Sequence, residues 1–124
     1  MKKKVKKKQS LPALKRKLWK FFSRWIRKRD NLTCITCGQP GNQAGHFIEK
    51  SVSNVLGYFS EIGVNCQCMR CNHYKSGNKE FYAIALEKKH GFGVLQLLEE
   101  ERKKDFKPTR EWYEEKIKYY GGDK

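Results

Sequence analysis

Between residues 11 and 25 apolar side chains return every three or four positions, at Leu11, Leu14, Leu18, Phe22 and Trp25, while Lys15, Arg16, Lys20, Arg24, Arg27 and Lys28 fill the gaps. That is the helical period, so the spacing predicts a basic amphipathic helix from Leu11 to Arg29, ended by Asp30-Asn31. Gly38-Gln39-Pro40-Gly41-Asn42 reads as a tight turn. The apolar stretches at Gln43 to Ile48 and Val52 to Phe59 predict two short pairing strands, with Ser60-Glu61-Ile62-Gly63 as a loop. After Ser76-Gly77-Asn78 the period turns helical again, at Phe81, Ile84 and Leu86 up to His90-Gly91, at Val94, Leu95, Leu97 and Leu98, and after Pro108-Thr109 at Trp112, Tyr113, Ile117 and Tyr120. The resulting division is a basic flexible tail (1–10), the basic helix (11–30), a compact core (31–78) and a helical segment (79–124).

Composition sharpens this α+β outline. The 124 residues suit one domain with an appendage. Of 28 Lys and Arg, 14 lie in residues 1–29, where there is no acid, so the net charge of +15 belongs to the N-terminal part. Such a segment attracts polyanions, nucleic acid above all. Lys2 to Lys8 alone read equally well as a solubilising tail. The helix, with Trp19, Phe21, Phe22 and Trp25, could instead lie on an anionic membrane surface. The reading preferred here docks its apolar stripe on the core or on a second subunit and turns Lys15, Arg16, Lys20, Arg24, Arg27 and Lys28 to phosphates. No apolar run approaches the length of a membrane span.

Within the core stand two cysteine pairs, Cys34-Ile-Thr-Cys37-Gly38 and Cys68-Met-Arg-Cys71. Five cysteines, CxxC spacing and no apolar leader after the N-terminal lysines argue against a disulfide framework and for a reducing, cytoplasmic setting. Four thiolates at this spacing suit a tetrahedral Zn²⁺ that is part of the fold. Cys66 is the leftover, read as a small buried residue. Between the pairs lies His46, and Asn72 follows the last cysteine at what would be a helix start. Together they offer a base for water and a neutral oxygen for a hard cation such as Mg²⁺ or Mn²⁺, the needs of phosphodiester hydrolysis. Taken singly, His46 reads equally as a neighbour of the zinc site or a buried hydrogen-bonding histidine, and Asn72 as a helix cap.

The ordered run Cys34-x-x-Cys37-Gly38, Ala44-Gly45-His46-Phe47, Asn65-x-Gln67-Cys68-x-x-Cys71-Asn72, Ser76-Gly77-Asn78 and Tyr82 resembles the NinG family of phage recombination proteins, also called Rap. More broadly it is similar to the HNH, or ββα-metal, superfamily in its zinc-bound treble-clef form, as in phage endonuclease VII. The resemblance, over about residues 32–100, implies a structure-specific DNA endonuclease acting on Holliday junctions and D-loops, in host cytoplasm and phage- or prophage-encoded. It implies structural zinc on Cys34, Cys37, Cys68 and Cys71, His46 as general base, Asn65 as the brace of the histidine loop, Asn72 as a ligand of a catalytic Mg²⁺ or Mn²⁺ in the site of His46, and Lys75 as a phosphate contact. His73 rivals Asn72 if the register shifts by one. Many HNH sites carry an acid before the histidine; here Gly45 stands there, and Glu49, Glu61, or a metal held mainly by Asn72, water and phosphate are the replacements. Two cuts at a symmetric junction suit a homodimer, through the aromatic faces of residues 11–25 or 112–120, unless those faces close the monomer's own core. The alternative from another class is a non-catalytic zinc module that binds nucleic acid.

Overall fold

The computed structural model describes residues 8–121, so most of the expected basic tail lies outside the described residues. Helix α1 spans Leu11–Arg29. It starts at Ser10, whose hydroxyl accepts the Ala13 N–H, has Pro12 in its first turn, and ends with Arg27, Lys28 and Arg29 against the negative end of the helix dipole. Asp30 closes it, and Asn31 and Leu32 then turn the chain at φ 54° and 53°. The buried row is Leu14, Leu18, Phe22 and Ile26. Leu11, expected in the stripe, is exposed, and Ile26 replaces Trp25 because the stripe follows a strict i+4 row.

Strand β1 (Gln43–His46) pairs antiparallel with β2 (Val64–Gln67), and His46 stands opposite Val64, Gly45 opposite Asn65. This corrects the expected partner. Residues 52–59 form no strand: a 3-10 turn at Lys50–Val52 leads into the short helix α2 (Val55–Tyr58), which Asn54 caps by accepting the Gly57 N–H at 2.8 Å. The same Asn54 amide donates to the carbonyls of Glu101 and Lys104, so one side chain starts α2 and ties it to the end of a later helix. Strand β2 alternates apolar and polar residues, yet all four are buried. Val64 joins the core under α1, while Asn65 bonds Tyr82 on the other side.

The second cysteine pair leads into a single π-helical turn, Arg70–Tyr74, rather than the regular helix expected to open at Asn72. The Gly77 N–H donates to the Cys71 carbonyl, Ser76 sits at φ 50° and Gly77 at φ 91°, so the chain reverses before α3 (Lys79–His90) begins. Helices α4 (Val94–Lys103) and α5 (Arg110–Gly121) follow where the sequence places them. On α3 the inward residues are Tyr82 and Leu86, whereas Phe81 and Ile84 face outward.

Two cores flank the sheet. In the first, Leu14, Leu18, Phe22 and Ile26 of α1 meet Tyr113 and Tyr120 of α5 together with Val55, Phe59 and Val64. The second gathers Tyr82, Leu86, Val94 and Leu98, with Ile35, Phe47 and Ile62 packed on them. The aromatic faces of α1 and α5, considered as subunit contacts from sequence, thus bury each other within one chain. No helix among the described residues is long and apolar enough to cross a membrane.

Candidate metal centre and catalytic cleft

All five cysteines are free thiols, and the Sγ atoms of Cys34, Cys37, Cys68 and Cys71 lie within 4.8 Å of one another. Four sulfurs at about 2.3 Å from a central Zn²⁺ stand about 3.8 Å apart along a tetrahedral edge, and Cys37 Sγ and Cys68 Sγ are 3.7 Å apart. The donor set therefore fits a structural zinc. Burial opposes ionisation of Cys34, but the backbone N–H groups of Cys68, Cys37 and Thr36 outweigh it and bring the thiol down to about 7. Burial pushes Cys71 up to about 12, so a thiolate there requires the charge of a cation. Cys66 stays apart, buried, with its thiol donating to the Gly41 carbonyl.

His46 ends β1 on the α1 side of the sheet, almost wholly buried. Its Nε2 lies 2.9 Å from the Tyr58 carbonyl. A carbonyl only accepts, so Nε2 carries the proton and Nδ1 the free lone pair. Trp19 of α1 stacks on the imidazole at 5.0 Å between centroids and 21° between planes, and the Tyr58 ring flanks it at 4.9 Å. Burial, against the Tyr58 hydrogen bond and with help from Lys50 and Lys79, lowers its pKa to about 4, leaving a neutral imidazole at pH 7.

That shift has a consequence for stability. The unfolded chain binds a proton at His46 near pH 6.5 and the folded chain only near pH 4. The contribution is complete above 6.5 and is lost as pH falls towards 4. Between pH 6.5 and 5 wild type is expected to lose about 2 kcal/mol more than His46→Ala. Paired melts of the two zinc-loaded proteins at both pH values measure this, since protonation of the zinc thiolates is common to both; equal losses would refute it.

Behind His46 runs a chain of hydrogen bonds. Tyr82, fully buried, donates to the Gly45 carbonyl at 2.7 Å, and Asn65 donates to the Tyr82 hydroxyl at 3.1 Å and to the Ile62 carbonyl. Asn65 Oδ1 in turn accepts from Arg29 at the end of α1, which also donates to the carbonyls of Glu61 and Val64. Asn65 thus acts on the strand of His46 through Tyr82. Lys79 donates to the carbonyls of both His46 and Phe47, holding the exit of β1, and burial lowers its pKa.

Gly45 explains why no acid precedes the histidine. A Cβ there would stand 1.9 Å from Gln67 Oε1 and 2.9 Å from Asn72 Oδ1. Gln67 is fully buried and cannot yield, because its amide nitrogen donates to Thr36 Oγ1 at 2.7 Å, in the first cysteine pair, and to the Gly77 carbonyl at 2.9 Å, after the second. Its orientation is forced, since a flipped amide would set two carbonyl oxygens against each other. Gly45→Ala is expected to cost about 3 kcal/mol by overpacking, and less in a Gln67→Ala background. Urea melts of the four combinations check this, and additive costs would contradict it.

A cleft of about 410 Å³ opens beside these groups, lined by His46, Glu49, Lys50, Asn72, Ser76 and Lys79 among others. Asn72 donates its amide N–H to Gln43 Oε1 at 2.8 Å and stands inside the turn Arg70–Tyr74 rather than at a helix start. Together with Glu49 it gives the cleft an oxygen donor set that suits a hard divalent cation. His73, one residue on, is exposed against Tyr74 and Lys75 is exposed beside it; neither lines the cleft. Glu61 lies elsewhere, accepting from the Tyr120 hydroxyl.

Among the helix cations, Lys15 stands over the Tyr58 ring at 4.4 Å, close to His46. Arg16, Lys20, Arg24 and Lys28 are exposed, and Arg27 is partly engaged with Asn42 and the Ser23 carbonyl. Sequence reasoning gave Trp19, Arg29, Gln67 and Lys79 no part in the site. Spacing carries no signal for the first two, which reach it from a distant helix. Gln67 and Lys79 lie against the motif, but their partners come from opposite ends of the core.

The whole chain, residues 1–124, matches the family model described as "Bacteriophage Lambda NinG protein". Relatives include protein ninG of Salmonella phage P22, 31% identical over 104 residues covering 76% of this chain and 51% of the relative. Protein ninG of Escherichia phage lambda is 30% identical over 104 residues, 76% of this chain and 50% of the relative. Protein ninG of Escherichia phage 933W is 34% identical over 79 residues, 60% and 39%. The chain thus spans about half the length, or less, of these curated relatives. No solved structure matches. With the match running through both cysteine pairs and the cleft between them, the chain belongs to the NinG family.

Proposed function

We propose that this chain is a zinc-stapled, HNH-type DNA endonuclease that cuts branched recombination intermediates such as Holliday junctions and D-loops. The observation that carries the reading is the convergence of His46, Asn72 and Glu49 on one cleft beside a four-cysteine site. His46, neutral and held through Nε2, uses its free Nδ1 to take a proton from an attacking water. Asn72 and Glu49 are the residues that would hold Mg²⁺ or Mn²⁺, and the bound ion supplies positive charge to the developing oxyanion and the leaving 3′ oxygen. Asn65, through Tyr82, keeps the backbone before His46 in place. Lys75 and the exposed cations of α1 contact phosphates and set affinity, while the branch preference follows the family.

The test is cleavage of a labelled four-way junction against a linear duplex of matched sequence, with zinc-loaded protein and Mg²⁺ or Mn²⁺. The junction is expected to be cut in preference. Tight, salt-sensitive binding with no cleavage in either metal would leave a nucleic-acid-binding module and sink the enzyme.

A further inference from the structure

Helix α1 is more than a basic arm. Its C-terminal end is locked to the sheet, where Arg29 donates to the carbonyls of Glu61 and Val64 and to Asn65 Oδ1, and Asp30 accepts the Cys66 N–H at 2.8 Å. Ten residues upstream, about 15 Å along the helix axis, Trp19 meets the imidazole of His46 nearly face to face. The single hydrogen bond from Nε2 to the Tyr58 carbonyl fixes one atom of the ring but leaves the ring free to swing about that bond. A flat surface against the imidazole removes that freedom. Tyr58 packs beside the indole, edge-on to it at 5.4 Å and tilted against the imidazole at 4.9 Å, so two neighbouring aromatic rings and one carbonyl bear on the histidine plane.

We infer that Trp19 is a positioning residue, whose indole face holds the His46 imidazole in the one plane that presents Nδ1 to the cleft. The helix that offers Lys15, Arg16 and Lys20 to phosphates thereby also orients the base, and DNA seated on α1 bears on the catalytic geometry directly. The inference rests on His46 being the general base. It assigns the aromatic at position 19 to catalysis rather than to packing alone or to a membrane surface.

The test uses the full zinc-loaded chain with Trp19→Phe, Trp19→Leu and Trp19→Met. Misplacing a reacting group by about 1 Å costs about 10²-fold in rate, so Trp19→Leu is expected to lower kcat on the junction by about that factor with KM and zinc content unchanged. Trp19→Phe keeps a flat face and is expected to recover most of the loss. Leu fills the space without offering a plane, so wild-type kcat in Trp19→Leu would overturn the inference; Trp19→Met takes its place if Leu fails to hold zinc. A second readout does not need activity. In NMR spectra the His46 ring protons are expected to be shifted upfield by the indole and to move downfield in Trp19→Leu or Met; unmoved resonances would overturn the inference. If wild type does not cut DNA, the nuclease reading fails by itself and these resonances still decide whether the indole of Trp19 lies against the ring.

Discussion

Removing zinc, by a strong chelator or by Cys71→Ser, is expected to collapse residues 31–78, with loss of the cleft and a fall in melting temperature large enough to unfold most of the chain at 37 °C. Structural zinc sites of this kind contribute about 10–16 kcal/mol on binding, against a total stability of about 5–15 kcal/mol for a domain. The core around the site cannot make up the difference. Between Thr33 and Gly41 regular structure is confined to one bridge, Thr33 to Pro40, and the second pair is followed only by a π turn. Gln67 then carries the effect to β1, because its partners Thr36 and Gly77 sit beside the two cysteine pairs and its oxygen rests against Gly45. The α1–α5 pairing has aromatic contacts of its own, Phe22 and Trp25 on Tyr120, and is expected to retain helical signal. Circular dichroism and calorimetry with metal content measured in parallel check this. An unchanged melt after zinc is gone would show that the thiols merely pack.

His46→Ala is expected to lower the rate of metal-dependent junction cleavage by about 10²–10⁴-fold, the usual contribution of a general base. Zinc content and junction affinity are expected to stay as in wild type, because none of the four sulfurs and none of the exposed cations of α1 touches the ring. A rate loss in kcat and kcat/KM alike would assign His46 to the transition state. Loss of affinity with kcat intact would assign it to binding and refute its role as base. The low pKa of His46 in the folded protein means that its imidazole is already unprotonated at pH 7, so no acid limb from His46 is expected in the rate profile above pH 5.

What the sequence by itself determined was whatever rests on short-range spacing and on residue chemistry. The helical period placed α1, α3, α4 and α5, because each can be recognised from its own apolar row and its stop signals. CxxC spacing brought out the four cysteines whose sulfurs the fold gathers within 4.8 Å of one another, since two residues between cysteines let both sulfurs face one point. Resemblance of the ordered motif pointed to His46, Asn65 and Asn72 as candidates, of which His46 and Asn72 line one cleft. Tertiary structure decided what depends on residues far apart in the chain. Strand β2 pairs with β1 in place of residues 52–59, because Asn54 caps a helical turn there and Val64–Gln67 is buried on both faces, which hides its one-sided signature. Asn72 rather than its neighbour His73 reaches the cleft because the turn after Cys71 is a π turn, whose residues point in directions that an α-helical period does not foresee. The plane of His46 is set by an indole 27 residues upstream, and the emptiness at Gly45 by a glutamine 22 residues downstream. Such contacts leave no local pattern, because they join residues that only the packed helix and the cysteine-bearing loops bring together.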